Sequence, residues 1–314
     1  MKSSKSFDVI IAGNGPAGMA AALAYDAAGF AVALAGPERQ SKDLRTTALM
    51  VPAIHLLERL GVWDAIKPYA APLRAMQIID GTNRLIRALP VTFQASEIGE
   101  DAFGWNMPNE ALLSASQARL DENSAIQQYR LPISSYVKGD AGVACTLENG
   151  KSIDASLVIA ADGRGSMARE AAGIKVKSWS YPQIAMVLAF THSRAHSNVS
   201  TEFHTETGPF TLVPLAGKRS SLVWAMRPQE VDAFKALDDA ALSLRVEQKM
   251  HSMLGKIDID TPRQFYPLSG QTPEKFAAHR IMLVGEAAHV FPPIGAQGLN
   301  LGLRDVEEAV TASL

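Results

Sequence analysis

The fold is decided by one stretch near the start of the chain, Phe7-Asp8-Val9-Ile10-Ile11-Ala12-Gly13-Asn14-Gly15-Pro16-Ala17-Gly18. Its first six residues form an apolar, β-branched run that is typical of a buried parallel strand. The alanine-rich segment from Met19 to Ala28 predicts a helix, which Gly29 would end. Residues 31–35 predict a second strand. Strand, glycine turn, helix and strand thus follow within about 30 residues, as in a dinucleotide-binding unit.

Three glycines in this turn have separate physical roles. Gly13 permits the tight turn, Gly15 lets the backbone approach a pyrophosphate, and Gly18 lets the helix pack closely on the strand. Pro16 and Ala17 lie where the helix begins, and there the unpaired N–H groups and the helix dipole favour phosphate. The alternative is a glycine-rich turn that only packs on itself. The flanking strand and helix favour the dinucleotide site.

The second strand lacks the acidic residue that usually ends it and binds the adenosine ribose. Ala35-Gly36-Pro37 stands at that point, and Glu38 follows late. Two interpretations stay open: Glu38 reaches back to the ribose, or it is an exposed loop carboxylate.

A second motif follows another predicted buried strand at residues 157–161. It reads Asp162-Gly163-Arg164-Gly165-Ser166 and leads into a helix-like stretch that reaches Ala172. The third motif follows a predicted strand at residues 280–284 and contains Gly285-Glu286-Ala287-Ala288-His289.

The third motif continues with the run Pro292-Pro293-Ile294-Gly295-Ala296-Gln297-Gly298-Leu299-Asn300. Residues 297–309 predict a helix. The three motifs together resemble those of the FAD-dependent aromatic-ring hydroxylases, the para-hydroxybenzoate-hydroxylase-type flavoprotein monooxygenases. Within them, this run and the segment Arg45-Thr46-Thr47-Ala48-Leu49 are most similar to hydroxylases of ubiquinone biosynthesis. The resemblance implies an α/β fold: a Rossmann-like FAD-binding domain with a parallel sheet, plus an inserted, largely antiparallel β-sheet substrate domain.

The resemblance also implies cofactor contacts at matching positions. The turn from Gly13 to Gly18 would hold the FAD pyrophosphate, and Arg45 would lie along the flavin or its phosphates. Asp162 and Gly163 would serve both FAD and NAD(P)H. Glu286 stands where the family usually has aspartate against the ribityl chain, so its longer side chain alters that contact. The run from Pro292 to Asn300 would wrap the isoalloxazine. Its expected cofactor contacts are Pro293, Gly295, Ala296, Gln297, Gly298, Leu299 and Asn300.

The last predicted helix has a physical reason to lie beside the flavin. Gly295, Gly298 and Gly302 permit close backbone approach. The free N–H groups at the helix N-terminus would face the ring edge where negative charge accumulates on reduction, an interaction of about 0.3–1 kcal/mol when exposed and up to about 2 kcal/mol when partly buried. A glycine-interrupted surface helix is the alternative.

The reaction of the family defines the expected activity. NAD(P)H would reduce FAD, O2 would add to give the C4a-hydroperoxide, and its distal oxygen would pass to an aromatic ring, expected here to be that of a polyprenyl phenol. The sequence contains no recognisable second nucleotide fold, which fits a nicotinamide that visits the flavin transiently. No residue is identified as the base that deprotonates the phenol.

Two other functions stay open at this point. One is a flavoprotein reductase or dehydrogenase on the same scaffold. The other is a shortened, non-catalytic FAD-binding protein, because family members usually continue beyond the last flavin motif.

The remaining segments predict a second sheet. Alternating or apolar runs predict strands at 74–80, 84–89, 181–191, 199–205, 210–215 and 220–226. The first two flank Gly81-Thr82-Asn83 and predict a hairpin. Asn149-Gly150 predicts another tight hairpin. We therefore expect an FAD-binding domain at 1–67, 107–174 and 277–314, and a substrate domain at 68–106 and 175–276.

Several aromatic and imidazole side chains leave their roles open. Phe203, Phe210, Trp224, Phe265 and Tyr266 either line a pocket for an aromatic substrate or pack in a core. The spacing of the histidines at 192, 196 and 204 matches no recognised zinc site, so no metal is expected.

Composition bounds the remaining functions. The 314 residues carry a formal net charge of −2 without a run of like charges, which argues against a nucleic-acid partner. Cys145 is the only cysteine, so no disulfide framework exists within the chain and a reducing, cytoplasmic location is expected. Asp8 and several glycines interrupt the apolar start, which argues against a signal peptide.

A prenylated substrate would require the protein to work at the inner membrane surface, yet no basic amphipathic helix is evident. Peripheral membrane or biosynthetic-complex association is therefore a hypothesis.

Overall fold

The computed structural model describes residues 5–39, 42–293 and 295–314. The strands are β1 Lys5–Ala12, β2 Val32–Ala35, β3 Thr46–Met50, β4 Ala71–Pro72, β5 Ala75–Asp80, β6 Val91–Gln94, β7 Gly104–Pro108, β8 Gln127–Tyr129, β9 Ile133–Lys138, β10 Val143–Leu147, β11 Ser152–Ala160, β12 Val176–His192, β13 Val199–Thr205, β14 Gly208–Leu215, β15 Arg219–Met226, β16 Ile257–Ile259, β17 Gln264–Pro273, β18 Ala277–Ala278 and β19 Ile281–Leu283. The α-helices are α1 Pro16–Ala27, α2 Val51–Arg59, α3 Trp63–Ile66, α4 Asn109–Glu122, α5 Met167–Ala171, α6 Val231–Ala236, α7 Asp239–Lys249 and α8 Gln297–Ser313. Short 3-10 helices cover Lys67–Tyr69, Ala95–Ile98, Pro228–Glu230 and Gly285–Ala287.

The first sheet is built on five parallel strands in the order β19-β11-β1-β2-β8. β18 pairs antiparallel with β19, and β10 and β9 extend β11 antiparallel. Helix α1 covers one face and packs against α4 and α8, because its alanine-rich surface allows close approach. The other face buries residues from β1, β11 and β19 together with α5. This arrangement confirms the Rossmann-like α/β domain expected from the sequence.

The second sheet has the order β16-β12-β15-β14-β13-β5-β6, with β17 on the free part of β12. Its pairs are antiparallel except β13 with β5. Phe203, Phe210 and Trp224 are buried in one core cluster with Leu242 and Val246 of α7, and Phe265 packs against that cluster. Core packing is therefore the role of these four aromatic residues. Their alternation leaves the opposite face of the sheet to smaller side chains.

The two large sheets fall on the two sides of the expected domain division. All strands of the first lie within 1–67, 107–174 and 277–314, and all strands of the second lie within 68–106 and 175–276. A small sheet of β3, β7 and β4 joins the two regions. Buried Asn106 on β7 strengthens this junction, because its amide donates to Pro214 O at 2.8 Å and lies 3.3 Å from Ser221 Oγ. The division into two domains remains a prediction.

The hairpin expected around Gly81-Thr82-Asn83 is wrong in its second strand. β5 ends at Asp80 as expected, but its antiparallel partner is β6 at Val91–Gln94, and residues 84–89 form no strand. The Asp80 carboxylate accepts hydrogen bonds from Thr82 N and Ala88 N, at 3.1 Å each, and so closes an irregular loop. The alternating side chains of 84–89 consequently face solvent. The hairpin at Asn149-Gly150 is confirmed, since it joins β10 to β11.

Within the described ranges, no helix is both long and apolar enough to cross a membrane.

Candidate cofactor site

In the glycine turn after β1, a side chain would clash at two of the three glycines and would fit at the third. Gly13 has φ +112°, and a Cβ there would lie 2.2 Å from Ala161 O. A Cβ at Gly18 would lie 1.9 Å from Gly13 O, so Gly18 is needed for α1 to approach β1. A Cβ at Gly15 would meet no atom of the described residues within 4 Å. Because Gly15 is also the N-cap of α1 and no side chain caps that helix, the turn leaves space and free N–H groups for an anion.

A cavity of about 170 Å³ lies beyond the carboxyl end of β2. Asn14, Glu38 and Tyr129 line it, and Arg130 binds the Glu38 carboxylate at 3.0 Å. The buried Oδ1 of Asn14 and the hydroxyl of Tyr129 have no hydrogen-bond partner among the described residues. A carboxylate, an amide and a phenol around a cavity of this kind fit an adenosine. Glu38 therefore lies in the right region for the ribose, and its contact with the ribose remains a prediction.

Asp43 binds the Arg45 side chain directly, and Asn109 in turn binds Asp43. The sequence did not indicate either contact. Asp43 accepts from Arg45 Nε at 2.9 Å and from a terminal guanidinium nitrogen at 2.6 Å, and it also accepts from Asn109 Nδ2 at 2.9 Å. Burial acts to raise the pKa of Asp43, but the hydrogen bonds from Arg45 and Asn109 outweigh it and hold that pKa at about 2. The pKa of Arg45 is raised mainly by Asp43, with further contributions from Tyr266 and Glu286. Arg45 thus lies at the meeting point of the two sheets.

The second motif is fixed to the third by a buried guanidinium. Arg169 is 5% exposed and donates to Ala287 O at 2.8 Å and to Arg164 O at 2.9 Å. Asp162 accepts from Ala168 N through Oδ2 at 3.1 Å, whereas its buried Oδ1 has no partner among the described residues. Gly163 has φ +83° and open space around its Cα. Asp162 therefore keeps one acceptor free for a ligand.

The third motif packs directly on the first. A Cβ at Gly285 would lie 3.2 Å from Ala17 Cβ, and a Cβ at Gly302 of α8 would lie 3.0 Å from Gly285 Cα. Asp305 of α8 accepts from Gly285 N at 2.9 Å and is 2.7 Å from His289 Nε2. These contacts explain why the glycines recur, since larger side chains would separate the turn from α8.

Glu286 projects from the short 3-10 helix at the start of the third motif. Its side chain is 56% exposed, and its Oε2 lies 3.8 Å from Arg164 Nε. It is also close enough to Arg45 to raise the pKa of that guanidinium. The carboxylate is therefore available to a hydroxylated ligand, as the resemblance implies.

Helix α8 begins with an open N-terminus. Ala296, its N-cap, has φ +54°, no side chain caps the helix, and its first turn contains no acidic residue. Pro293, Gln297 and Gly298 are exposed, and Leu299 is half-buried. Ile294, which belongs to the predicted flavin-wrapping run, lies outside the described residues. The N–H groups of this end are free to face a negatively charged group.

Asn300 has a different environment from the other residues of the flavin-wrapping run. Its amide nitrogen donates to Ala48 O at 2.9 Å and Ala296 O at 2.6 Å, and its oxygen accepts from Met50 N at 2.8 Å. The side chain thus clasps α8 to β3. Both hydrogens of the Asn300 amide are used in these contacts, so this side chain has no donor left for a cofactor.

The donors and acceptors without partners agree with FAD. Among the described residues, such atoms occur in the first, second and third motifs at Asn14 Oδ1, Asp162 Oδ1 and His289 Nδ1, and near them at Asn109 Oδ1 and Tyr129 Oη. Two open helix N-termini accompany them, at α1 and α8. A dinucleotide with two phosphates, hydroxyls and a ring that becomes anionic needs this combination of groups.

Comparison with known proteins identifies the family. The FAD binding domain family model matches residues 6–312. The chain belongs to this family. The curated relatives include ubiquinone hydroxylase UbiL of Rhodospirillum rubrum, which is 32% identical over 96% of this chain and 71% of that protein. They also include 3-demethoxyubiquinol 3-hydroxylase of Escherichia coli, which is 30% identical over 96% of this chain and 78% of that protein.

A solved structure shares the fold. p-Nitrophenol 4-monooxygenase PnpA from Pseudomonas putida matches with a TM-score of 0.78 at 19% identity, covering 98% of this chain and 80% of that chain. The resemblance found in the sequence and FAD as the family's cofactor are confirmed. The individual cofactor contacts remain predictions.

Proposed function

We propose that this protein is an FAD-dependent monooxygenase that uses O2 and NAD(P)H to hydroxylate the ring of a polyprenyl phenol in ubiquinone biosynthesis. The observation that carries the proposal is that three distant motifs pack against one another. Gly13 packs on Ala161, and Ala17 packs on Gly285. The two relatives described above support the same assignment, since one is named a ubiquinone hydroxylase and the other a 3-demethoxyubiquinol 3-hydroxylase.

The second sheet supplies the wall for the aromatic ring. In antiparallel pairs, opposed residues share a face of the sheet. Phe265 is opposed to Met186 on the core face, so Tyr266 and its partner Ala185 lie on the other face. Val187 is opposed to both Gln264 and Val223 on that same face. We call the surface formed by Ala185, Val187, Val223, Gln264 and Tyr266 the small-residue face.

This face suits a substrate ring for steric and polar reasons. Val187 and Val223 are half-buried and leave room for a planar group. Tyr266 is 36% exposed and donates through its hydroxyl to Gln264 at 2.9 Å. Tyr266 also contributes to the raised pKa of Arg45, which supports a position near the proposed cofactor site. Tyr266 is thus the one residue of the aromatic set that stays a candidate for substrate contact.

When bound, FAD supplies hydride acceptance and the activation of O2. The protein's own residues would position it. The N–H groups of α1 would hold its pyrophosphate, and Asp162 and Glu286 would accept hydrogen bonds from its hydroxyls. Asp43 and Asn109 fix the guanidinium of Arg45, so that this charge need not reorganise during the reaction. The alanine and valine side chains of the small-residue face would exclude water from the reacting atoms.

The test is the coupling of NAD(P)H oxidation to hydroxylated product with a prenylphenol and FAD-loaded protein. We expect the phenol to accelerate NAD(P)H oxidation and hydroxylated product to form. NAD(P)H oxidation that saturates a prenyl chain without hydroxylation would instead identify a reductase. A yellow protein indifferent to NAD(P)H and to all prenylphenols would contradict the proposal.

Val187→Phe gives a sharper version of this test. The larger ring would fill the small-residue face while leaving the glycine turn and α8 untouched. We expect unchanged FAD content and at least about tenfold lower kcat/KM for the phenol, a loss of about 1.4 kcal/mol or more. Leu188→Phe on the opposite, buried face is the control, because it should destabilise the fold instead.

A further inference from the structure

Residues 84–93, here called the docking loop, expose an unusual set of apolar side chains. Leu85, Ile86 and Leu89 are 100%, 87% and 86% exposed. Val91 and Phe93 follow on the edge strand β6 and are about half exposed. Soluble surfaces seldom gather this many large apolar side chains in ten residues, and such clusters usually contact a partner or a membrane.

The docking loop is held in shape by acidic groups at its base. Asp80 accepts from Thr82 N and Ala88 N, and Glu206 accepts from Asn83 N at 2.7 Å. Both carboxylates therefore have partners within the loop base. These hydrogen bonds close the base of the docking loop beneath its exposed tip.

The two cations of the docking loop stand among its apolar side chains. Arg84 and Arg87 form no ion pair with any residue that the structure describes. Long arginine side chains can keep their charge among lipid phosphates while neighbouring leucine and isoleucine enter the acyl region. This pattern of cations beside exposed apolar groups is complementary to an anionic bilayer surface.

Two residues of the docking loop, Val91 and Phe93 on β6, lie on the same face of the second sheet as the small-residue face. One row of directly opposed residues crosses seven strands of this sheet, from β6 to β17. It runs from Val91 through Ile78, Glu202, Thr211, Val223 and Val187 to Gln264. Five steps of about 4.8 Å place Val91 about 24 Å from Val187. A prenyl chain held in the bilayer could therefore extend along one sheet face toward the proposed ring position.

We propose that the docking loop attaches this protein to the surface of an anionic phospholipid bilayer, on the side where the lipid substrate enters. The inference rests on the proposed function only for its substrate, since membrane attachment can be measured without any reaction. A second copy of the chain pairing with the free edge of β6 is the competing occupant.

Vesicle flotation of the FAD-loaded protein tests the attachment. The probes are phosphatidylcholine vesicles with and without phosphatidylglycerol. We expect flotation with the anionic vesicles and little with the neutral ones. Leu85→Gln/Ile86→Gln/Leu89→Gln should lower the partition coefficient at least about tenfold. Arg84→Gln/Arg87→Gln should lower it about tenfold or more at low salt and less at high salt.

A matched control removes an exposed leucine and an exposed arginine elsewhere. Leu244 and Arg245 are both exposed on α7. Leu244→Gln/Arg245→Gln should leave flotation unchanged. Equal flotation of all variants, or equal binding to neutral vesicles, would overturn the proposal. A wild-type dimer that the triple glutamine variant dissociates would also overturn it, in favour of a second copy.

A kinetic measurement separates this proposal from the proposed function. The triple variant should raise KM for a vesicle-held prenylphenol at least about tenfold, while kcat/KM for a water-soluble phenol stays unchanged. Flotation without hydroxylation of either phenol would leave the docking proposal standing and contradict the proposed function. Hydroxylation of the soluble phenol by a protein that does not float would support the proposed function and contradict the docking proposal.

Discussion

The Asn300 amide nitrogen lies 2.9 Å from Ala48 O, a hydrogen bond that joins residues 252 positions apart. Together with the bond from Met50 N, it fixes the first turn of α8 against β3. β3 follows directly after Arg45, so this clasp sets the distance between the cation and the open helix N-terminus. The geometry of the candidate site therefore depends on an amide that the sequence assigned to the cofactor.

Replacing Asn300 with alanine should destabilise the protein and loosen the site. The change leaves Met50 N and Ala48 O without this partner, and we expect the free energy of unfolding to fall by about 1–3 kcal/mol. Denaturant unfolding of the cofactor-free protein measures it. Asn300→Asp, which keeps the acceptor and loses the donors, should be destabilised too. Full stability of both variants would show that the clasp is dispensable.

Two glycines of the first turn should respond differently to alanine. Gly18→Ala forces a methyl group against Gly13 O and should cost about 1–3 kcal/mol of stability. Gly15→Ala meets open space and keeps an extended backbone with φ −84°, so loss of the glycine N-cap should cost no more than about 1 kcal/mol. Thermal unfolding of both cofactor-free variants checks this order, and a reversed order would contradict the packing described.

The acid stability of the protein should depend on Asp43. Its pKa is about 2 in the folded protein against an ordinary value of 3.8, so its contribution is fully present above pH 3.8. That contribution is lost as the pH falls toward about 2. Since Arg45 is half exposed, we expect about 1–2 kcal/mol at neutral pH.

The measurement is the difference in unfolding free energy between wild type and Asp43→Asn as a function of pH. The difference should be constant above about pH 5 and shrink between about pH 4 and pH 2. The control is Asp101→Asn, at an exposed position without an ion pair among the described residues. Its difference in unfolding free energy from wild type should not shrink over this pH range. A difference that grows on acidification would have the wrong sign for this ion pair.

Arg169 should be important for stability although it touches no predicted cofactor residue directly. Arg169→Met leaves Ala287 O and Arg164 O without their donors, and we expect a loss of about 2–4 kcal/mol. Chemical denaturation provides the value. Arg245→Met, at an exposed arginine, should change stability by no more than about 0.5 kcal/mol. If the two variants were equally stable, Arg169 would not hold the second and third motifs together.

Many strands and helices could be predicted because the local sequence pattern and the packing of the folded protein favour the same structure there. The buried run ending at Gly13 became β1, and the helix expected from residue 297 became α8. The strand predicted at 84–89 does not form, and the cause lies in a neighbouring residue. Alternation indicates a strand only if one side is buried, and Asp80 instead bonds the backbone so that both sides face solvent.

The motifs located the candidate site, but not the residues that hold it together. Asp43 precedes Arg45 by two positions, a spacing that could have indicated an ion pair. Arg169 and Asn109 act on partners that are far away in sequence or on another element, so no local pattern indicates them. Their roles follow from which elements the fold brings together.

The central claim is that FAD binds to the Gly13–Gly18 turn and to the start of α8. Its most direct test is a fluorescence titration of cofactor-free wild type and Gly15→Ala with FAD. We predict saturation near one FAD per wild-type chain, and at least about tenfold weaker binding by the folded variant, because its methyl group would occupy the space of the pyrophosphate. Absence of FAD binding by the wild type, or equal affinity of the two proteins, would contradict the account.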